Sequence, residues 1–241
     1  MSKEYTREEY IYLAKLYEKA ERFNDMVKFI NKFIEMNPEL SHEERIILSA
    51  GYKNVISSKR SSWRLVNTLI KKEDKSNTQT ISYLNEEKSI IEKEIEEICK
   101  MMQNVIDKYL IPNAKESESK VFYLKLKADY FRYVAEYSIG KAFNAACDSA
   151  DKAYREAYEI SEKDLPIVNT TRLGVSLNFS IFYYEVRGLK EEGCNIAKSA
   201  FNEAMKVLDD LERVKAKDSL LLIQLLKENL ILWENEMNDE E

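Results

Sequence analysis

Glycine and proline are scarce in this chain, whose 241 residues include 5 glycines and 3 prolines. The tight turns of a β protein draw heavily on these two residue types, so little material is left for strands joined by such turns. Hydrophobic residues (44%) and charged residues (33%) are both abundant, as is typical of amphipathic helices. The sequence therefore predicts an all-α protein.

The spacing of apolar residues divides the chain into nine predicted helices, and Pro38, Pro112 and Pro166 each lie where one periodic segment stops and another begins. The predicted helices cover residues 6–21, 24–37, 41–73, 78–110, 117–139, 141–161, 166–187, 190–208 and 214–236. Short connections between them favour antiparallel neighbours. No period of about 34 residues, which would indicate a tetratricopeptide array, runs through the chain. We expect one helical domain over residues 1–236 and a short acidic tail at 237–241.

Two helix starts carry a capping-box pattern, in which a Ser or Thr is followed three residues later by a Glu. Thr6 with Glu9 predicts the start of the first helix, and Ser41 with Glu44 predicts the start of the third.

The net charge of −6 argues against general nucleic-acid binding, which favours an excess of basic residues. No run of about 18 apolar residues is present, so no membrane span is expected. The polar start MSKEYTREEY does not fit a signal peptide. These features favour a cytoplasmic protein, with the nucleus as a second compartment.

Cys99, Cys147 and Cys194 are widely spaced and form no CxxC pair or Cys/His cluster. Neither disulfides, a metal site nor a cofactor is therefore expected, and the thiols are predicted to be reduced and buried. The single histidine, His42, lies at a predicted helix start, and no nucleophile–base pair accompanies it. An enzyme is therefore disfavoured.

The stretch Lys120 to Tyr137 has unusual charges for a helix. Lys125, Asp129 and Arg132 are spaced i, i+4, i+7, so they share one face, and Tyr133 is the next residue. An acid between two bases could orient the arginine toward an anion. The alternative is a partly buried, salt-bridged helix face.

Three other predicted helices each carry a set of residues that spans positions i to i+7 along one face, here called a stripe. They hold Lys53 and Arg60 on the third helix, Leu177, Asn178, Ile181 and Glu185 on the seventh, and Leu222, Leu225, Asn229 and Trp233 on the ninth. Each stripe alone has an ordinary explanation. Lys53 and Arg60 could lie on a solvated helix face, Asn178 could be a buried side chain with a local partner, and the leucines could belong to the core. Taken together with the Lys125 face, the stripes could line a groove with a basic wall for a phosphate, amides for a peptide backbone and an apolar wall for its side chains. Such a groove would bind a phosphopeptide and would not be an active site.

Four segments of the chain resemble characteristic blocks of the 14-3-3 family. They are SHEERIILSAGYKNVISSKRSSWR, IPNAKESESKVFYLKLKADYFRY, RLGVSLNFSIFYYE and KDSLLLIQLLKENLILW. The resemblance runs from about residue 5 to Trp233. It implies nine antiparallel helices in a curved, cup-like bundle that dimerises, with residues 1–110 providing the dimer and basic-wall helices and 117–236 the groove helices.

The resemblance also implies a role for each stripe residue. Phosphate would be bound by Lys53, Arg60, Arg132 and Tyr133. The peptide main chain would be bound by Asn178 and Asn229, with Glu185 and Lys125 beside it. Asp129 would orient Arg132. The apolar and supporting wall would consist of Leu177, Ile181, Leu222, Leu225 and Trp233.

In the family, the first helix contacts the partner's third and fourth helices, which implies interface positions here at Leu16, Ala20, Arg22, Asp25, Ser62 and Glu94. Ile90 stands where a lysine able to pair with the partner's Asp25 is expected, so that ion pair is missing from the prediction. The leading prediction is a homodimeric adaptor for phosphoserine or phosphothreonine clients. A phosphate-independent helical scaffold that binds acidic peptides is the alternative.

Overall fold

A computed structural model describes residues 4–207 and 217–239. The chain divides into two compact units, Met1–Asn113 and Ala114–Glu241. Within the described residues the regular structure is all helical, and nine α-helices are present: α1 Arg7–Lys19, α2 Phe23–Met36, α3 His42–Lys72, α4 Thr78–Val105, α5 Ser117–Tyr137, α6 Gly140–Asp164, α7 Thr170–Ile181, α8 Lys190–Val207 and α9 Lys217–Asp239. The predicted all-α class is confirmed. The predicted end of the eighth helix at 208 and start of the ninth at 214, and residues 240–241 of the predicted tail, lie outside the described residues.

Both predicted capping boxes are confirmed. The backbone N–H of Glu44 donates to the Ser41 hydroxyl, and the Glu44 carboxylate accepts from the Ser41 backbone N–H at 2.8 Å. Thr6 and Glu9 form the same reciprocal pair at the start of α1. Side chains thus satisfy two backbone donors that the first turn of each helix would otherwise leave unpaired.

Two differences from the predicted helices have a local cause. The seventh helix begins at Thr170 and not at Pro166, because the Asn169 side chain accepts from the backbone N–H groups of Thr171 and Arg172 and so caps the helix there. The α-helical part of the fourth helix ends at Val105, and a π-helical segment and a short 3-10 turn around Pro112 follow it to residue 113. Proline has no N–H, so a regular α-helical ladder loses a donor at this point.

The core of the first unit is built by apolar residues on one face of α2, including Met26, Ile30 and Phe33, all fully buried. They pack against α3 at Gly51, where an added side chain would contact the ends of two α2 side chains. A Cβ on Gly51 would lie 2.5 Å from Ile30 Cδ1 and 3.3 Å from Met26 Sδ. The glycine, which weakens an isolated helix by about 1 kcal/mol relative to alanine, therefore makes room for α2.

In the second unit, α5 and α6 pack closely through small residues, among them Ala128 and Ala135 on α5 and Ala146 and Ala150 on α6. The rings of Tyr154, Phe179 and Phe182 fill the space beside these alanines. This packing brings side chains of α5, α6 and α7 to one place.

Helices α7 and α8 meet backbone to backbone at Gly193. A Cβ there would lie 2.8 Å from the Ser180 carbonyl oxygen and 2.9 Å from the Tyr184 nitrogen, so no larger residue fits without moving a backbone. After Ile181 the chain continues as a π-helical segment, Phe182–Arg187. That segment ends at Gly188, whose φ of 69° lies in the left-handed region that favours glycine.

None of the helices in the part of the chain that the structure describes is long and apolar enough to cross a membrane.

Candidate functional site

Asp129 on α5 is the centre of a polar cluster, here called the Asp129 cluster. Asp129 and Tyr154 are buried in it, and Lys125, Arg132 and Asn178 are half-buried. Asp129 is 3% exposed. Lys125 Nζ donates to its Oδ2 at 2.9 Å, and Arg132 Nη2 reaches its Oδ1 at 3.5 Å. The i, i+4, i+7 spacing therefore places these three charges together on one helix face, as predicted from the sequence.

Two further helices contribute donors to the Asp129 carboxylate. From α7, Asn178 Nδ2 donates to both carboxylate oxygens, at 2.8 and 3.0 Å. From α6, the Tyr154 hydroxyl donates to Oδ1 and also accepts from Arg132 Nε at 3.2 Å. The cluster thus links three helices, and every hydrogen-bond partner of Asp129 named here comes from within the second unit.

Asp129 and Arg132 hold their ionised forms despite burial of these groups. Burial alone would raise the pKa of the Asp129 carboxyl, but the charges of Lys125 and Arg132 outweigh it and hold that pKa below its ordinary value. Burial opposes the charged form of Arg132 as well, yet Tyr154 and Asp129 raise the pKa of Arg132 above its ordinary value. One carboxylate between two cations leaves an excess of positive charge.

Arg132 is held on three sides but retains donors for a ligand. Its guanidinium carbon lies 4.9 Å from the ring centre of Tyr133, within the range of a cation–π contact. The Tyr133 ring in turn packs edge-on against Tyr130, with ring centres 5.3 Å apart. A guanidinium has five N–H groups, and Tyr154 and Asp129 take only part of them. The remaining donors suit a tetrahedral oxyanion.

The predicted apolar wall is largely one packed cluster of α7, α8 and α9. Leu177 and Trp233 are buried in it, and Ile181 and Leu222 pack against it at its edge. Trp233 is 1% exposed and stacks on Tyr184 with ring centres 4.4 Å apart, so it supports the wall from behind. Leu225 is 37% exposed on α9 and is available for contact with a ligand.

The other predicted site residues lie on the expected helices. Asn229 is half-buried on α9, and Glu185 is exposed within the π-helical segment after α7. Lys53 (exposed) and Arg60 (half-buried) both lie on α3 in the first unit. Their participation in a phosphate site stays a prediction from the sequence.

The predicted dimer positions are all on or near the surface of the first unit. Leu16, Ala20, Arg22 and Ser62 are exposed, and Asp25 and Glu94 are half-buried. Their charges are paired within the chain. Asp25 accepts from Arg22 Nε at 3.0 Å and from Lys28 Nζ at 2.8 Å, while Lys59 pairs with Glu94 at 2.7 Å.

No group of three or more potential metal ligands exists among the described residues. The three cysteines are free and buried, as predicted, and burial raises the pKa of the Cys99 thiol to about 12. At neutral pH this thiol is therefore protonated and a poor nucleophile.

Comparison with known proteins identifies the family. The 14-3-3 protein family model matches residues 13–234. The checkpoint signal transducer rad25 of Schizosaccharomyces pombe is 44% identical over 229 residues, which cover 95% of this chain and 85% of that protein. The 14-3-3-like protein GF14 nu of Arabidopsis thaliana is 44% identical over 238 residues (98% and 90% coverage), and human 14-3-3 protein beta/alpha is 44% identical over 235 residues (98% and 95%).

The chain belongs to the 14-3-3 family. The resemblance drawn from the four sequence blocks is confirmed, and the chain spans most of the length of each of these relatives. As a 14-3-3 protein it is classed with adaptors of signal transduction and not with enzymes.

Sequence reasoning did not single out Tyr154, although its hydroxyl contacts both Asp129 and Arg132 in this 14-3-3 protein. One signal was available. Tyr154 continues the i, i+4 series Ala146 and Ala150, so a large ring with a polar tip lies on the small-residue face that packs against α5.

Proposed function

We propose that this 14-3-3 protein is a phosphoserine- or phosphothreonine-dependent adaptor that binds a phosphorylated client peptide along the Asp129 cluster and the apolar wall. Membership in the family supports a phosphopeptide-binding role. The observation that carries the proposal is Arg132, which is fixed by Asp129, Tyr154 and Tyr133 and still has N–H donors for an anion.

A phosphate is well matched to this arrangement. It carries nearly two negative charges at neutral pH and offers three acceptor oxygens, so charge-assisted bonds from Arg132 and the Tyr133 hydroxyl would form only with the phosphorylated client. Lys125 adds positive charge at the edge of the site. We further propose, from the sequence resemblance, that Lys53 and Arg60 bind the same phosphate.

The peptide main chain would be bound by the two asparagines. Because Asn178 Nδ2 donates to Asp129, the orientation of its amide is fixed and its carbonyl oxygen is left to accept from a peptide N–H. Asn229 on α9 would bind further along the peptide, and Glu185 would lie beside it. Side chains after the phosphoresidue would contact Ile181, Leu222 and Leu225.

We propose that the protein acts as a homodimer through α1 of one copy and α3 and α4 of the other. The exposed surface of these helices is rich in large apolar residues: Tyr12, Leu16, Leu65, Leu69, Tyr83 and Ile90 are each between 43% and 66% exposed. Since the charges at the predicted interface are already paired within one chain, apolar contacts would supply most of the association energy. Two linked grooves would clamp a doubly phosphorylated client by avidity, in the cytoplasm.

The test is a titration of the protein with one peptide in phosphorylated and unphosphorylated forms, measured by calorimetry or fluorescence anisotropy. We expect only the phosphorylated form to bind well. Arg132→Ala should weaken its binding by about 2 kcal/mol or more, because it removes charge-assisted bonds. Arg155→Ala is the matched control, since Arg155 is an arginine on α6 bonded to Asp151 and Tyr183, outside the Asp129 cluster.

Equal affinity for the two peptide forms would contradict the proposal and favour the phosphate-independent scaffold. Normal phosphopeptide binding by Arg132→Ala, with Arg155→Ala also normal, would show that the site lies elsewhere. Thermal unfolding of both variants separates a loss of binding from a loss of fold.

A further inference from the structure

The hydroxyl of Tyr154 lies between the acid and the base of the Asp129 cluster. It donates to Asp129 Oδ1 and accepts from Arg132 Nε at 3.2 Å. The direct contact of Arg132 Nη2 with Asp129 is longer, at 3.5 Å, where a hydrogen bond is weak. The firmer of these two links to the guanidinium therefore comes from Tyr154.

Core packing fixes the position of this hydroxyl. Tyr154 has no exposed surface, and its ring lies close to one aromatic residue of α7 and one of the π-helical segment that follows it. The ring of Phe179 stacks on it with centres 5.5 Å apart at 21°, and Phe182 lies 5.4 Å away. A ring confined in this way cannot swing its hydroxyl from Arg132 without disturbing the core.

We infer that Tyr154 is a positioning residue for phosphate recognition, which holds Arg132 by its Nε so that the Nη donors are presented to the phosphate. The inference rests on the proposed function. Because Tyr154 is fully buried, it acts through Arg132 and does not touch the ligand.

The physical benefit is preorganisation of a flexible side chain. A free arginine side chain has many rotamers, and it loses that freedom when a ligand immobilises it. Here Tyr154 and the Tyr133 ring restrict the guanidinium before the ligand arrives, so less of that loss falls on binding. Burial and the nearby Asp129 raise the pKa of Tyr154 well above its ordinary value, so its hydroxyl remains a neutral donor and acceptor.

The chain contains a close control for this arrangement. The Tyr183 hydroxyl donates to Asp151 Oδ1 at 2.8 Å and accepts from Arg155 Nη2. Tyr183 is also buried in the same aromatic cluster. It thus has the same hydroxyl bridge between an aspartate and an arginine, but outside the Asp129 cluster.

The experiment compares Tyr154→Phe with Tyr183→Phe in phosphopeptide titrations and in thermal unfolding. Each variant loses one hydroxyl that bridges an acid and an arginine. We expect Tyr154→Phe to bind the phosphopeptide about tenfold more weakly, the factor typical of a lost bond to a charged group. Tyr183→Phe should bind within about twofold of the unmodified protein.

Two measurements separate positioning from general stability. In NMR spectra the Nε–H of Arg132 should be a slowly exchanging signal in the free protein, lost in Tyr154→Phe and kept in Tyr183→Phe. In an Arg132→Lys background, which has no Nε–H fork, Tyr154→Phe should weaken binding by no more than about twofold.

The outcomes separate two claims, which are the proposed phosphopeptide binding and the positioning role of Tyr154. If the unmodified protein does not distinguish the phosphopeptide, or Arg132→Ala binds it normally, the proposed function fails. If those controls behave as expected but Tyr154→Phe binds like the unmodified protein, the positioning role alone is overturned. Should Tyr154→Phe not fold, the Arg132 Nε–H signal decides, and rapid exchange in the unmodified protein would contradict the inference.

Discussion

Two aspartates in this protein lie between an arginine and a lysine in the sequence, yet the surroundings of the two differ completely. Asp25 at the start of α2 is paired with Arg22 and Lys28, and Asp129 in α5 is paired with Lys125 and Arg132. The sequence spacings are nearly the same, with partners three or four residues away. A reading of spacing alone would give both aspartates the same role.

The difference lies in burial and in donors from other helices. The pairs of Asp25 are made by exposed side chains from its own neighbourhood. Asp129 is 3% exposed and accepts, in addition, from Tyr154 on α6 and Asn178 on α7. An exposed ion pair is worth little, whereas a buried one whose remaining sites are filled can fix the geometry of an arginine. Sequence spacing is therefore enough to form the ion pairs, but only tertiary packing around Asp129 fixes the position of its arginine.

The largest effect expected from this contrast is on stability. Asp129→Ala should lower the free energy of unfolding by about 3 kcal/mol, because it removes the buried carboxylate that pairs with the half-buried cations of Lys125 and Arg132. Asp25→Ala is the control and should change stability far less, since water takes the place of the lost carboxylate. Urea denaturation of both variants checks this. Equal losses would mean that burial does not distinguish the two sites.

A smaller effect is expected in acid. The pKa of Asp129 is lowered from an ordinary 3.8, so the group binds a proton more readily in the unfolded chain than in the fold. Its stabilisation is therefore complete above about pH 5 and is lost as pH falls below about 4. The difference in unfolding free energy between the unmodified protein and Asp129→Asn should shrink over that acid range and stay constant above it.

The matching control uses Asp25→Asn, because Lys28 and Arg22 also lower the pKa of Asp25. Its acid dependence should be weaker and should diminish further in about 0.5 M salt, since exposed charges are screened. An Asp129 difference that salt removes equally would contradict the contrast between the two sites.

The smallest effect concerns the proposed dimer, because Asp25 is already paired with Arg22 and Lys28 of its own chain. Ile90, 47% exposed, offers an apolar contact in place of an ion pair. We expect the dissociation constant of the unmodified dimer to change little between low and high salt. The Ile90→Lys dimer should have a salt-dependent dissociation constant and should be roughly tenfold weaker at high salt, because apolar burial is lost. Sedimentation measures this, with Ile231→Lys as the control, since Ile231 is an exposed isoleucine on α9 in the second unit. A dimer strengthened by Ile90→Lys at high salt would show that apolar contacts do not dominate.

Much of the fold and part of the site could be predicted from the sequence. Capping boxes at Thr6 and Ser41 depend only on neighbours three residues away, and the grouping of Lys125, Asp129 and Arg132 depends only on helix geometry. Such short-range relations are contained in the spacing itself. The family followed from blocks of sequence that extend over nearly the whole chain.

What could not be predicted depends on contacts between distant parts of the chain. Tyr154 reaches Asp129 across 25 positions, and Asn178 reaches it across 49. The start of α7 at Thr170 was missed because Pro166 gives a stronger local signal than the Asn169 side chain that caps the helix. The reason for Gly51 was hidden as well, because helix propensity does not reveal that Ile30 needs the space.

The contact of Gly193 with the backbone of α7 has a mechanical consequence. The two helices cannot slide past one another by one turn, because the shift would bring the Cβ of Ala197, four residues along the same face of α8, to a place where the Ser180 carbonyl and the Tyr184 nitrogen leave no room. Asn178 lies just two residues before Ser180. A client would therefore meet a stiff lining on this side, and any adjustment to a bulky peptide would have to come from side chains such as Leu225 and Ile181, not from ratcheting of α8 along α7.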